Sequence, residues 1–141
     1  MHRAINLPRA RPVLRSNILA RTFHASTFKR EHFLNASADK FEERVISKSA
    51  DKPILVDFFA EWCPPCKQLS PLLEKITSDP SLVEGKDIDL MTINTDEETD
   101  LAIKYKISSL PTVIAFKNGS PVAQFVGSVP LPSLQAFCKQ L

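Results

Sequence analysis

Ile54-Leu55-Val56-Asp57-Phe58-Phe59-Ala60-Glu61-Trp62-Cys63-Pro64-Pro65-Cys66-Lys67 decides how this chain is read. Residues 53–60 are apolar at odd and even positions alike, the pattern of a strand buried on both faces at the centre of a sheet. The one charge inside that run is Asp57. A helix follows over 64–78, with Leu69, Leu72, Leu73 and Ile76 on its inward side and Pro71 expected to kink it. Cys63 falls at the N-cap and Cys66 at the third helical position, which brings the two sulfurs to one side, close enough to bridge. Prolines are tolerated in the first turn, where backbone N–H groups lack helical partners. The helix N-terminus favours negative charge, so the Cys63 thiol is expected to be acidified and nucleophilic.

Outward from this stretch, strands and helices alternate. Residues 32–35 read as a short strand. A helix capped by Ser37 or Asp39 runs through 49, with Phe41, Val45 and Ile46 on one face. Residues 88–94 form a strand, and 96–106 a helix with acids in its first turn and lysines in its last. Strands over 112–116 and 122–126 flank Asn118-Gly119, a strong hairpin dipeptide. Residues 131–141 form a last amphipathic helix. The expected architecture is α/β, ordered β-α-β-α-β-α-β-β-α around a central mixed sheet, with a largely parallel core and an antiparallel closing hairpin.

The chain has 141 residues, 43% hydrophobic and 24% charged, as one soluble domain with some chain to spare would have. Three glycines leave no phosphate-binding loop. No apolar run is long enough for a membrane helix. Charge is unevenly placed. Residues 1–30 contain Arg3, Arg9, Arg11, Arg15, Arg21, Lys29 and Arg30 and no acid; residues 31–141 contain all 16 acids. A uniformly basic nucleic-acid binder would not divide this way. An Arg-rich, acid-free leader with i,i+4 apolar pairs (Leu14 with Ile18, Leu19 with Phe23) has the features of a mitochondrial presequence. Arg21-Thr22-Phe23-His24-Ala25-Ser26 resembles a two-step cleavage pattern with cuts after Thr22 and Arg30. Residues 1–30 are therefore expected to be a disordered, cleaved targeting segment, and 31–141 the functional domain in the mitochondrial matrix.

The segment 54–67 is similar to the active-site segment of the thioredoxin family. The likeness continues through Pro71, Asp96, Lys104-Tyr105, Leu110-Pro111-Thr112, Phe116-Lys117-Asn118-Gly119 and Val126-Gly127. It implies a thioredoxin fold and protein-disulfide reduction by a reversible Cys63–Cys66 disulfide. Cys63 is then the attacking thiolate and Cys66 the resolving thiol. Asp57 is a buried general base with an upward-shifted pKa, and Pro111 is a cis-proline facing the disulfide. Trp62, Leu110 and Gly127 shape the substrate surface, while Pro64, Pro65 and Lys67 tune the site. The resemblance further implies a monomer with no bound cofactor. Electrons come from NADPH through thioredoxin reductase and pass to oxidised proteins such as peroxiredoxins and methionine sulfoxide reductases. Neither nucleic acid nor, after import, membrane is a partner.

Three positions depart from the family pattern. Pro64 stands where Gly is usual, removing an N–H donor from the loop and stiffening it; Thr92 stands where a Lys often accompanies the buried Asp; Phe59 replaces a frequent Trp. The Pro64 change keeps open a redoxin of different poise: an isomerase, an oxidase or a glutathione-linked enzyme. A thioredoxin-fold binding subunit with dispensable cysteines is a further alternative. A zinc site would need four ligands, and the remaining candidates, Cys138 and His32, form no spaced pair. Cys138, in the last helix beside Phe137, reads as a small core residue.

Overall fold

In the computed structural model, residues 30–47 and 51–141 are described. The leader, apart from Arg30, and residues 48–50 lie outside them. β1 (His32–Phe33), β2 (Ile54–Phe59), β3 (Asp89–Asn94), β4 (Thr112–Lys117) and β5 (Ser120–Val126) form one sheet in the order β1-β3-β2-β4-β5. β2 is central, as its two-sided burial requires. β1, β3 and β2 pair in parallel; β4 runs antiparallel to β2 and β5 antiparallel to β4. The antiparallel half thus begins at the β2–β4 pairing, one strand earlier than a closing hairpin alone would place it.

The helices are α1 (Ala38–Phe41), α2 (Pro64–Ser78), α3 (Thr99–Lys104) and α4 (Leu131–Lys139). Ser37, not Asp39, caps α1, its side chain accepting from the Lys40 N–H, and α1 continues as a π-helical stretch over Glu42–Ser47. A 3-10 turn, Pro80–Val83, follows α2 and went unnoticed in the periodicity; Asp79 caps it by accepting from the Ser81 N–H at 3.0 Å.

Several elements are shorter than their apolar patterns suggest, for local reasons. β1 stops at Phe33 because Asn35 takes a left-handed φ of 50° and gives its N–H to Thr92 Oγ1 at 2.7 Å. α3 starts three residues late. Asn94 accepts from the N–H groups of Asp96 through its side chain and of Glu97 and Glu98 through its carbonyl, which makes a turn where a helix was expected. Lys106, at φ 56°, follows its end. Asn118 and Gly119 both have positive φ, as a two-residue hairpin demands, and the hairpin strands close right up to them.

Alternation along β2 sends its side chains to two cores. Val56 and Phe58 join Met91, Ile93, Ile114 and Phe116 under α1 and α3, where Phe41, Tyr105 and Phe116 meet edge to face with centroids 5.3–5.5 Å apart. Leu55 joins Leu90, Val113 and Ala115 against Leu69, Leu73 and Ile76 of α2 and Leu134 and Cys138 of α4. The C-terminal end of β2 therefore delivers the chain directly into the first turn of α2, and the CxxC motif with it.

Candidate functional site

Cys63 is the N-cap of α2, and its sulfur accepts the Cys66 N–H at 3.3 Å. Pro64 and Pro65 occupy the first two helical positions, so in this first turn only Cys66 has an N–H to give. The two cysteines are disulfide-bonded, with Cα atoms 5.3 Å apart. In the disulfide Cys63 is only 3% exposed and Cys66 1%, because Ala60, Phe59 and Leu110 pack around the pair. The exposed neighbours are Trp62, Pro64, Pro65 and Lys67.

Asp57 pairs in register with Thr92 on β3 and Val113 on β4. By alternation it shares the face of Leu55, toward α2. It is wholly buried, and neither carboxylate oxygen has a hydrogen-bond partner. Burial pushes its pKa from 3.8 up to about 7, since desolvation penalises the charged form. Thr92 lies beside it in register and spends its hydroxyl as an acceptor for the Asn35 N–H.

The Leu110–Pro111 peptide bond is cis. Pro111 is buried, and its carbonyl accepts the Gly127 N–H at 2.8 Å, so the loop before β4 and the end of β5 are held together. Gly127 has φ 90°, a conformation that suits glycine. Trp62, Cys63, Pro64, Pro65, Ile107 and Leu110 are among the residues lining a cavity of about 390 Å³. A second cavity, of about 370 Å³, is lined by Cys66, Lys67, Phe59 and Glu61 among others. The structure thus gathers all ten residues singled out from the sequence at one end of the sheet or along the β2–β4 seam beneath it.

The sequence places Asp96 in an acidic first helical turn and within the family likeness but gives it no role in the site. Its Oδ2 accepts the Trp62 indole N–H at 2.9 Å. The available signal was positional: β2 and β3 are parallel neighbours, so residues just past their C-terminal ends meet. Cys138 is fully buried, and burial raises its pKa to about 11, which keeps it a thiol. Among the described residues no group of three or more His, Cys, Asp or Glu side chains is placed to hold a metal ion, and no helix is long and apolar enough to cross a membrane.

A family model for thioredoxin matches residues 32–140. The mitochondrial thioredoxin of Rattus norvegicus is 41% identical over 122 residues, covering 86% of this chain and 70% of that protein. The thioredoxin of Pseudomonas aeruginosa is 38% identical over 107 residues, 76% of this chain and 94% of its own length. Among solved structures, Malassezia sympodialis thioredoxin superposes with a TM-score of 0.66 at 31% identity, over 79% of this chain and 91% of that one. With a disulfide at the mouth of α2 and a family match spanning the whole sheet, this chain belongs to the thioredoxin family and is a thiol–disulfide oxidoreductase.

Proposed function

We propose that the chain reduces protein disulfides in the mitochondrial matrix, through Cys63 and Cys66. The observation that carries this reading is the Cys63 sulfur at the head of α2, bordering the groove and bonded to Cys66, with the buried Asp57 on β2, the strand that leads into α2. In the reduced protein the Cys63 thiolate attacks one sulfur of a target disulfide. A mixed disulfide forms and the target's other sulfur leaves as a thiolate. Cys66 then loses its proton to Asp57 and attacks Cys63 Sγ. The mixed disulfide breaks, the second target sulfur leaves, and the Cys63–Cys66 disulfide remains. Two electrons pass to the target, and its two thiolates take their protons from Asp57 and from solvent.

A carboxylate poised near pH 7 suits the base role. Trp62 and Leu110 line the groove that takes the target, while Pro111 and Gly127 fix its wall. Lys67, one residue beyond Cys66, adds positive charge. Thioredoxins work without a prosthetic group and use thioredoxin reductase and disulfide substrates. For this chain we assign NADPH-derived electrons through that reductase, with peroxiredoxins and methionine sulfoxide reductases as targets and a monomer as the working form. The acid-free leader and the rat and mouse mitochondrial relatives support import, with residues 1–30 removed after Arg30.

The test is NADPH oxidation in the presence of thioredoxin reductase and insulin. Turnover that disappears in Cys63→Ser supports the reading; turnover that survives it refutes the cysteine mechanism. The first turn argues against a more oxidising, isomerase- or oxidase-like poise: Pro64 and Pro65 leave the Cys63 sulfur a single first-turn N–H, so its thiolate, and with it the reduced form, gains less stabilisation. A reduction potential near −270 mV places the protein with the reductants, and one near −180 mV with the isomerases.

A further inference from the structure

We propose that Asp89 is the binding site for the α-ammonium group that appears on Glu31 when the leader is removed, an inference that rests on the cut after Arg30. Six charged side chains meet at the β1–β3 edge, far along the sheet from the cysteines. Asp89, its side chain only 7% exposed, takes Lys52 Nζ at 2.6 Å and Arg44 Nη2 at 3.6 Å. Asp87 takes Lys52 at 3.2 Å and Arg30 Nε at 3.6 Å. Arg44 also reaches Glu31 Oε2 at 2.7 Å. With Arg30 in place the cluster holds three cations and three anions.

The peptide N–H of Glu31 points into this cluster and donates to Asp89 Oδ1 at 2.8 Å. The Glu31 carbonyl accepts from the Leu90 N–H at 3.1 Å, and His32 pairs with Leu90, so residue 31 is held from both sides. Hydrolysis of the Arg30–Glu31 bond by a peptidase consumes one water, leaves a carboxylate on Arg30 and frees the Glu31 amine. That amine takes up a proton at neutral pH. The cut removes the Arg30 guanidinium, with its bonds to Asp87 and the Ser78 carbonyl. It returns one positive charge at an atom already 2.8 Å from a buried carboxylate. Charge balance is kept, and a hydrogen bond in which only the Asp89 acceptor is charged becomes an ion pair in which both partners are. Processing thereby fastens the chain immediately before the edge strand β1.

The sheet and both cores described above are built entirely from residues within 31–141, so that segment carries its own folding core. The experiment compares that chain carrying a free Glu31 amine with the same chain Nα-acetylated. Acetylation is expected to lower the melting temperature by about 5 °C, an effect that disappears in Asp89→Asn. The free amine is also expected to titrate above its ordinary range of about 7.7–8.0, because Glu31, Asp87 and Asp89 outnumber Arg44 and Lys52 around it. Equal melting temperatures together with an ordinary amine pKa overturn the proposal while leaving the leader reading intact. If Asp89→Asn does not fold, the amine titration decides. The first residue of the protein isolated from cells is read separately: Glu31 is expected, and a start upstream of Arg30 overturns the leader reading and this inference with it.

Discussion

The exposed indole of Trp62 is tied at one atom: Nε1–H donates to Asp96 Oδ2 at 2.9 Å. Trp62 is 68% exposed and borders Cys63, so without that bond its ring would be free to move over the groove a target must enter. A single exposed hydrogen bond is worth about 0.5–1.5 kcal/mol. Asp96→Ala is therefore expected to raise KM for a protein disulfide by about two- to tenfold. Stability should stay within about 0.5 kcal/mol of the parent. Steady-state kinetics and Trp62 fluorescence anisotropy check both parts.

Asp57 makes the oxidised protein's stability depend on pH, and the sign is fixed by its raised pKa. Between about pH 4 and pH 7 the folded protein keeps a proton on Asp57 that the unfolded chain has released. The folded state then binds more protons, so its stability falls as pH rises through that window. The loss is on the order of a few kcal/mol. Asp57→Asn is expected to remove this fall. Urea unfolding at pH 4, 6 and 8 measures it, and parallel slopes for parent and variant would exclude a buried, proton-holding Asp57.

Pro64 withholds a donor from the Cys63 thiolate. Pro64→Gly restores an N–H to the first turn and is expected to lower the Cys63 pKa. The added freedom of the unfolded chain costs about 0.4–1 kcal/mol of stability. Thiolate absorbance against pH, together with thermal unfolding, reads the two effects separately.

The α2 bounds, Pro64–Ser78, were legible because their signals are local: a proline-started helix with leucines at helical spacing. Asp57 was legible because a lone carboxylate in a two-sided apolar strand has nowhere to go but inside. What stayed hidden depended on contacts between elements. The Asn94 turn that delays α3 competes with a good helix-start pattern, and a side chain accepting backbone N–H groups wins locally. Asp96 meets Trp62 only because β2 and β3 are parallel neighbours. The burial of Cys63 comes from Leu110, brought from 47 residues away by the β2–β4 pairing.

Cys138 is packed among Leu69, Leu134 and neighbouring core residues, and its thiol is held protonated. Cys138→Ser buries a hydroxyl in that apolar layer and is expected to cost about 1–3 kcal/mol. Disulfide-reductase activity at 25 °C is expected to be unchanged. A large loss of turnover in the folded variant would give Cys138 a redox role.

The order of attack is the central claim, and trapping the mixed disulfide tests it most directly. Reduced Cys66→Ser is mixed with an oxidised protein target, and the covalent adduct is digested and mapped by mass spectrometry. The account predicts a stable one-to-one adduct with the target sulfur bonded to Cys63, because the groove residues Trp62 and Leu110 border that sulfur, the resolving thiol is gone and Cys138 is buried in the core. No adduct with Cys66→Ser, but one on Cys66 in the reciprocal Cys63→Ser variant, would contradict it.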